Sequence, residues 1–481
     1  MTLQNKSSTK NLYTIDKSKG APRQKKSAEI CYRATFPKPN AEDAMSSLVE
    51  HEGELIDGAL GEEFEHEPVP MARRRSLASV AAVWFGFPMV LTQAVFGGII
   101  VLNLGFVAGS TAIILGNLIL CAYVGALSFI AGSTGLNFAM QGKKTFGTSG
   151  YVVACGLLST LVVGWYAFQI GLTGQTMHTA FDWNATLVIL IATLLFMGTT
   201  FLGIRALSIV GLIAAPFFIF MGFIALVIAA QTHGLDNIWS YSGTAKDMTF
   251  GGAVSLVIAG FADAGTMTAD FTRWSRNGKE AAAASFTAFP IANAVAFLFG
   301  GVIVAAGSAV DPIHNGGDFM PLLTGHGPLL STLAVLFVFV NLGSVCAHCL
   351  YNGAVGYSHL FKSRMRLLTL ILGVLGGIAA AAGVWTLFPY WLSLLGIFVP
   401  PIGAIIIMDQ LVLGRAANLR TAMAFRPPAF VAWGLGSGVA ILVHIWMPQY
   451  GEALVALIVA GVAYGVLDLR GTAQVPVAAL D

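Results

Sequence analysis

Asp263 is the side chain with the most chemical reach, because it stands within Gly260-Phe261-Ala262-Asp263-Ala264-Gly265 in the middle of a long apolar stretch. A carboxylate there costs roughly 2.5–3.5 kcal/mol on membrane-insertion scales, so it is read by default as a ligand contact or proton carrier. The structural alternative is a cap that accepts backbone N–H bonds where the helix is broken. Trp165 follows Gly164, and Gln169 lies one turn further on the same face. An indole beside a glycine offers a rigid apolar plate with room for a flat ring, although most membrane tryptophans pack or sit at an interface. Asn341 and Ser344 are three residues apart and share a face with His348, which presents two oxygens to a hard cation or, as readily, hydrogen bonds to a neighbouring helix. Gln93 follows Gly86, Phe87 and Pro88, while Pro400 and Pro401 interrupt a later apolar stretch as a gate or a static kink. Cys346, His348 and Cys349 lack a second ligand pair, so no metal centre is expected beyond a coupling ion.

These residues need elements that hold them inside a bilayer. Of the 481 residues, 56% are hydrophobic and 10% charged, whereas a soluble globular chain carries about 25% charged residues. The first 75 residues contain 12 of the 26 Lys and Arg and no apolar run of signal-peptide length. They read as a disordered cytoplasmic tail. The remainder divides into twelve apolar stretches of spanning length, centred near Phe87, Leu118, Leu161, Leu195, Ile219, Ile258, Ala294, Val340, Leu375, Gly403, Gly438 and Val459. Arg73 to Arg75, Lys143, Lys144, Arg205, Arg273, Arg276, Lys279, Lys362, Arg364, Arg366, Arg415, Arg420, Arg426 and Arg470 all fall on one side of that alternation. Only Lys246 falls on the other. Basic loops stay inside, so both termini are expected in the cytoplasm of a cell-membrane protein.

The expected architecture is all-α, and if the first ten spans form two inverted five-span repeats these run over about 77–231 and 250–413, with two additional spans at about 429–468. The membrane domain covers 76–470, between a tail at 1–75 and another at 471–481. Helix breakers fall mid-span in the first and sixth spans, which are corresponding positions in such repeats. That pairing points to a midplane site formed by unwound backbone. A sealed bundle of this kind moves a solute. A channel would need a continuous polar stripe, which no span supplies. A membrane enzyme would need a cluster such as H-E-x-x-H or G-x-S-x-G, and neither occurs. With so few charges in the membrane part, nucleic acid is not an expected partner, and no protein partner or organic cofactor is implied.

The segment from Ala264 to Arg273, AGTMTADFTR, resembles the AGTxTADFxRF stretch of bacterial cytosine permeases in the nucleobase:cation symporter family. Gly164-Trp165, Asn341 with Leu350-Tyr351, and Tyr390-Trp391-Leu392 through Pro400-Pro401-Ile402-Gly403 to Asp409 extend the likeness over about 76–470. The resemblance implies a LeuT-type inverted repeat holding a nucleobase or related heterocycle between spans 1, 3, 6 and 8. It implies that Trp165 stacks on the base and that the backbone of Gly260, Phe261 and Ala262 meets the polar edge; from their positions on the same faces and breaks, Gln169, Gln93, Asn341 and Asp263 are expected among the substrate contacts. Asn341 and Ser344 would join carbonyls of Gly86 and Phe87 around sodium. The chain departs from the family pattern at Val345, Val162 and Asp263. Asp263 therefore offers a second coupling mode, in which a titrating buried carboxylate carries a proton or bonds a ring N–H. The expected function is import of a cytosine- or purine-like heterocycle coupled to sodium or protons. The alternatives are an amino-acid:cation symporter of the same architecture and a permease for allantoin- or hydantoin-like compounds.

Overall fold

A computed structural model describes residues 62–415 and 423–472. Helices α1 (Leu77–Gly86) and α2 (Leu91–Leu104) are two halves of one span, bent by 56° across Phe87 to Val90. The bend has a local cause. Pro88 has no N–H to give Trp84 O, which takes the Phe87 N–H instead at 3.2 Å. Then come α3 (Phe106–Thr134), the short amphipathic α4 (Phe138–Phe146), α5 (Tyr151–Phe181), α6 (Ala185–Phe201) and α7 (Ile204–Thr232). Helix α8 (Phe250–Ala259) stops at Gly260. Phe261 leaves helical geometry (φ −137°, ψ 16°) before α9 (Ala262–Thr266) and α10 (Ala269–Thr272) resume the path. Next come α11 (Gly278–Ala305), α12 (Pro328–Phe361), α13 (Met365–Ala381), α14 (Phe388–Phe398), α15 (Pro400–Ile406), α16 (Pro427–Trp446) and α17 (Glu452–Thr472).

Seven described helices are long and apolar enough to cross a membrane, and eight if the bent pair counts as one span. The other expected spans coincide with α17 and with shorter apolar helices at Ala185–Phe201, Phe250–Ala259 and Met365–Ala381. Elements five spans apart pack together: α3 on α11, α5 on α12 and α6 on α13. Glycines allow the closest crossings. A Cβ on Gly97 would meet Phe297 O at 1.8 Å, and one on Gly300 would meet Ala94 O at 1.8 Å, so α2 and α11 touch backbone to backbone. Outward-facing Leu190, Leu194, Leu212, Phe223, Leu375 and Ile378 are exposed, as lipid-facing side chains must be.

The prolines at 400 and 401 occupy the first turn of α15, where missing N–H groups cost nothing. The span Trp391–Val412 runs across them as one element. Its end is anchored by charge. Asp409 accepts from Thr145 Oγ1 (2.8 Å), Tyr464 Oη (2.8 Å) and Arg426 (3.0 Å), while Arg415 and Arg426 also pair with Asp468. This network ties α4, α16 and α17 to the end of the proline-bearing span.

Within the expected tail of residues 1–75, Glu63, Phe64 and Val69 are buried against the bundle. Residues 1–61 of that tail and 473–481 of the C-terminal one lie outside the described residues.

Candidate functional site

The two interrupted spans meet. Asn341, on α12, holds the first break open. Its Oδ1 accepts from Leu91 N at 2.9 Å, and its Nδ2 donates to Met89 O at 2.6 Å. The amide thereby satisfies a donor at the start of α2 and a carbonyl in the non-helical turn, groups that a broken helix would otherwise leave orphaned. Both ends of Asn341 are thus bonded to backbone, which is the interhelical role weighed above.

Thr92 and Gln93 begin α2 on the site side. Thr92 Oγ1 donates to Gln169 Oε1 at 2.8 Å, which fixes Gln169 of α5 against the first span. Gln93 is buried, and its Oε1 has no hydrogen-bond partner among the described residues. That oxygen lies 3.7 Å from the point where a side chain on Gly260 would begin, so Gln93 looks onto the break between α8 and α9. Asp263 is one residue into α9 and buried. Its Oδ1 accepts from Ala264 N at 2.8 Å, so one oxygen does cap the broken helix. Its Oδ2 has no hydrogen-bond partner among the described residues. The Trp165 indole faces this carboxyl and stands edge-on to Phe168, with ring centres 5.7 Å apart. Gln93, Gln169, Trp165, Gly260, Asp263 and the Asn341 bracket therefore converge on one place.

Other expected residues have different neighbours. Phe87 stacks on His348 (4.7 Å, 17°) and meets Phe261 edge-on (5.2 Å). Phe261 in turn meets Phe289. These rings fill an aromatic core behind the break, and Phe261 contributes backbone to the site while its ring packs away. Ala262 O accepts from Thr266 Oγ1 at 2.6 Å. Gly86 is a packing glycine, since a Cβ there would meet Gly211 Cα of α7 at 2.3 Å. Ser344 Oγ is buried without a hydrogen-bond partner among the described residues, while its carbonyl bonds His348 Nδ1 at 2.6 Å.

Two features escaped the sequence reading. The space left by Gly164 is filled by the Trp391 indole, which a Cβ would strike at 2.2 Å. Tyr123, on α3, places its hydroxyl 2.5 Å from Thr266 Oγ1 and 3.4 Å from Pro400 O, so the start of α15 meets the sixth span through it. Neither has a local signal, because each depends on which helices become neighbours.

The sequence profile described as a permease for cytosine/purines, uracil, thiamine, allantoin matches residues 68–446. Cytosine permeases from Escherichia coli O157:H7 and strain K12 are each 29% identical over 348 residues, covering 72% of this chain and 81% of theirs. Among solved structures, the nucleobase-cation-symport-1 family transporter MHP1, closed with bromovinylhydantoin bound, matches with a TM-score of 0.71 at 19% identity, over 85% of this chain and 95% of that one. A Na+-coupled sialic acid symporter matches at 0.61 with 14% identity, over 89% and 97%. At such identities these structures speak to the fold, which is that of the LeuT-type inverted-repeat transporters. With the family profile covering most of its length and two broken spans meeting at a buried site, the chain belongs to the cytosine/purine permease family of nucleobase:cation symporters, and is a multi-pass membrane transporter.

Proposed function

We propose that this transporter imports a planar nitrogen heterocycle of the nucleobase type by alternating access, with the basic loops and both termini on the cytoplasmic side of the cell membrane across twelve spans. The observation that carries the reading is the Asp263 carboxyl, buried beside the break between α8 and α9 with the Trp165 indole as its facing side chain. The Asp263 carboxyl, with lone pairs to spare, and Gln93 Oε1 are two acceptors, which suits a ring edge presenting N–H donors. Trp165 supplies an apolar plate for the ring. An amino-acid substrate fits poorly, since its carboxylate would oppose Asp263. A hydantoin-like ring, of the kind bound in the MHP1 structure, presents similar N–H groups and is the second reading.

The same residues bear on the choice between sodium and a proton as coupling ion. Asn341 Oδ1 already accepts from Leu91 N, so a sodium ion would draw on its remaining lone pair together with Ser344 Oγ and carbonyls near Gly86 and Phe87. Asp263 has an oxygen available to a proton, and proton coupling is the reading adopted here. Radiolabelled uptake in proteoliposomes, against a panel of cytosine, hypoxanthine, uracil, allantoin and leucine, tests both. Wild-type uptake is expected to respond to a pH gradient without sodium, and Asp263→Asn to lose that response. An unchanged pH response in Asp263→Asn refutes proton carriage by this residue, and competition by leucine alone refutes the heterocycle.

A further inference from the structure

Residues 63–69 precede the first span, yet they bond to several separate elements of the bundle. Glu63 Oε1 accepts from Ile204 N at 3.1 Å at the start of α7, and its Oε2 accepts from Tyr351 Oη of α12 at 2.9 Å. The carbonyls of Glu63 and Phe64 accept from Arg273 Nη2 (2.8 Å) and Nη1 (2.6 Å), just past α10. The Phe64 ring lies edge-on to Trp274 at 5.9 Å. Glu65 O accepts from Asn137 Nδ2 (2.7 Å) at the cap of α4, and its Oε1 accepts from Met365 N (3.1 Å) at the start of α13. His66 Nε2 contacts Ser363 O at 2.9 Å, and Val69 N donates to Gly135 O at 3.0 Å, beyond the end of α3.

The receptor for this strap is specific. Arg273 is a fully buried cation whose Nη1 and Nη2 both point at strap carbonyls, and such a charge needs acceptors. Gly203 has a positive φ of +83°, and a Cβ on it would lie 1.9 Å from Glu63 Oε1. The chain there is shaped to admit the carboxylate. Backbone N–H groups at the first turns of α7 and α13 each receive a strap glutamate, the favourable end of a helix for negative charge. The strap thus bridges the end of α3 and the end of α10 to α7, α12 and α13.

We propose that the cytoplasmic end of the transporter is a docking site for an acidic-aromatic segment, filled by this chain's own residues 63–69, and that the segment bolts the inner gate shut until it is displaced. Release of substrate to the inside requires the cytoplasmic ends of these helices to separate, and the strap, bonded at once to Gly135, Arg273, Ile204, Tyr351 and Met365, must give up part of those bonds for that to happen. The proposal rests on the inward orientation of the basic loops and not on which heterocycle is carried.

The test uses the full chain in proteoliposomes and follows maleimide labelling of native Cys349, a buried thiol on α12 beside Asp263, by mass spectrometry, with reagent added to one face at a time and no substrate present. Glu63→Ala is expected to raise the labelling rate from the face bearing Lys143 and Arg273 about tenfold, the equivalent of about 1.4 kcal/mol. Glu63→Gln keeps groups able to bond Ile204 N and Tyr351 Oη and is expected to stay near wild type. A synthetic peptide of residues 62–70 is expected to slow labelling of Glu63→Ala. Wild-type labelling in Glu63→Ala, or an equal rise in Glu63→Gln, overturns the proposal. Should Glu63→Ala fail to fold, Tyr351→Phe removes one strap bond without loss of volume and is expected to label severalfold faster. An unchanged rate there overturns the proposal as well.

Discussion

Replacing Asn341 with alanine removes both hydrogen bonds that hold the bend of the first span: Leu91 N to Oδ1 (2.9 Å) and Nδ2 to Met89 O (2.6 Å). Each leaves a buried backbone group without its partner, at about 1–3 kcal/mol apiece. Some of this is recovered as the turn between Phe87 and Val90 relaxes, so the bent form should lose about 2–4 kcal/mol relative to a straighter one. Thr92 and Gln93 ride on that bend, and Thr92 is what fixes Gln169 at 2.8 Å. Substrate affinity should therefore fall with the population of the competent form, by up to roughly thirtyfold to several hundredfold where the two forms are near balance in wild type. Titration calorimetry with a transported base, alongside thermal unfolding in the same detergent, separates lost affinity from gross misfolding. Asn341→Ala binding within a factor of two or three of wild type would refute the view that this amide sets the shape of the site.

Asp409→Asn should destabilise the protein by about 3 kcal/mol or more, because removing one partner of a buried ion pair leaves Arg426 with reduced compensation; a melting curve superposing on wild type would count against the network as an anchor. Glu63 gives a pH effect of definite sign. Burial pushes its carboxyl above the ordinary glutamate range, opposed by Tyr351, the Ile204 N–H, Arg273 and Arg366. The folded state therefore holds this proton more tightly than the unfolded one, and the associated stability is complete below the ordinary glutamate range and lost as pH rises through the raised value. Thermal unfolding should show that downward slope in wild type and a flatter one in Glu63→Gln, and equal slopes would contradict it.

Signals that are local in the chain were legible without coordinates. A run of apolar residues carries its insertion free energy wherever it ends up. Pro88 withholds an N–H from its own helix, and Gly260 precedes the residue that leaves helical geometry. Asp263 is costly in any bilayer-spanning segment. Those facts locate both broken spans and several of the residues that converge there.

What local signals could not carry is partnership. Asn341 reads equally well as a cation ligand or an interhelical bond until Met89 and Leu91, some 250 positions earlier, are seen against it. Gly164 reads as room for a ligand until Trp391 is found in that room. The acidic stretch ending near Glu67 has the composition of a solvated tail. It nevertheless folds onto the bundle at Glu63 to Val69, because Arg273, the hydroxyl of Tyr351 and two helix starts supply its bonding partners at one end of the assembled helices. Composition sets which segments enter the membrane, whereas the packing of distant helices decides which buried polar groups are consumed in holding the fold and which, like Asp263 Oδ2, are left over.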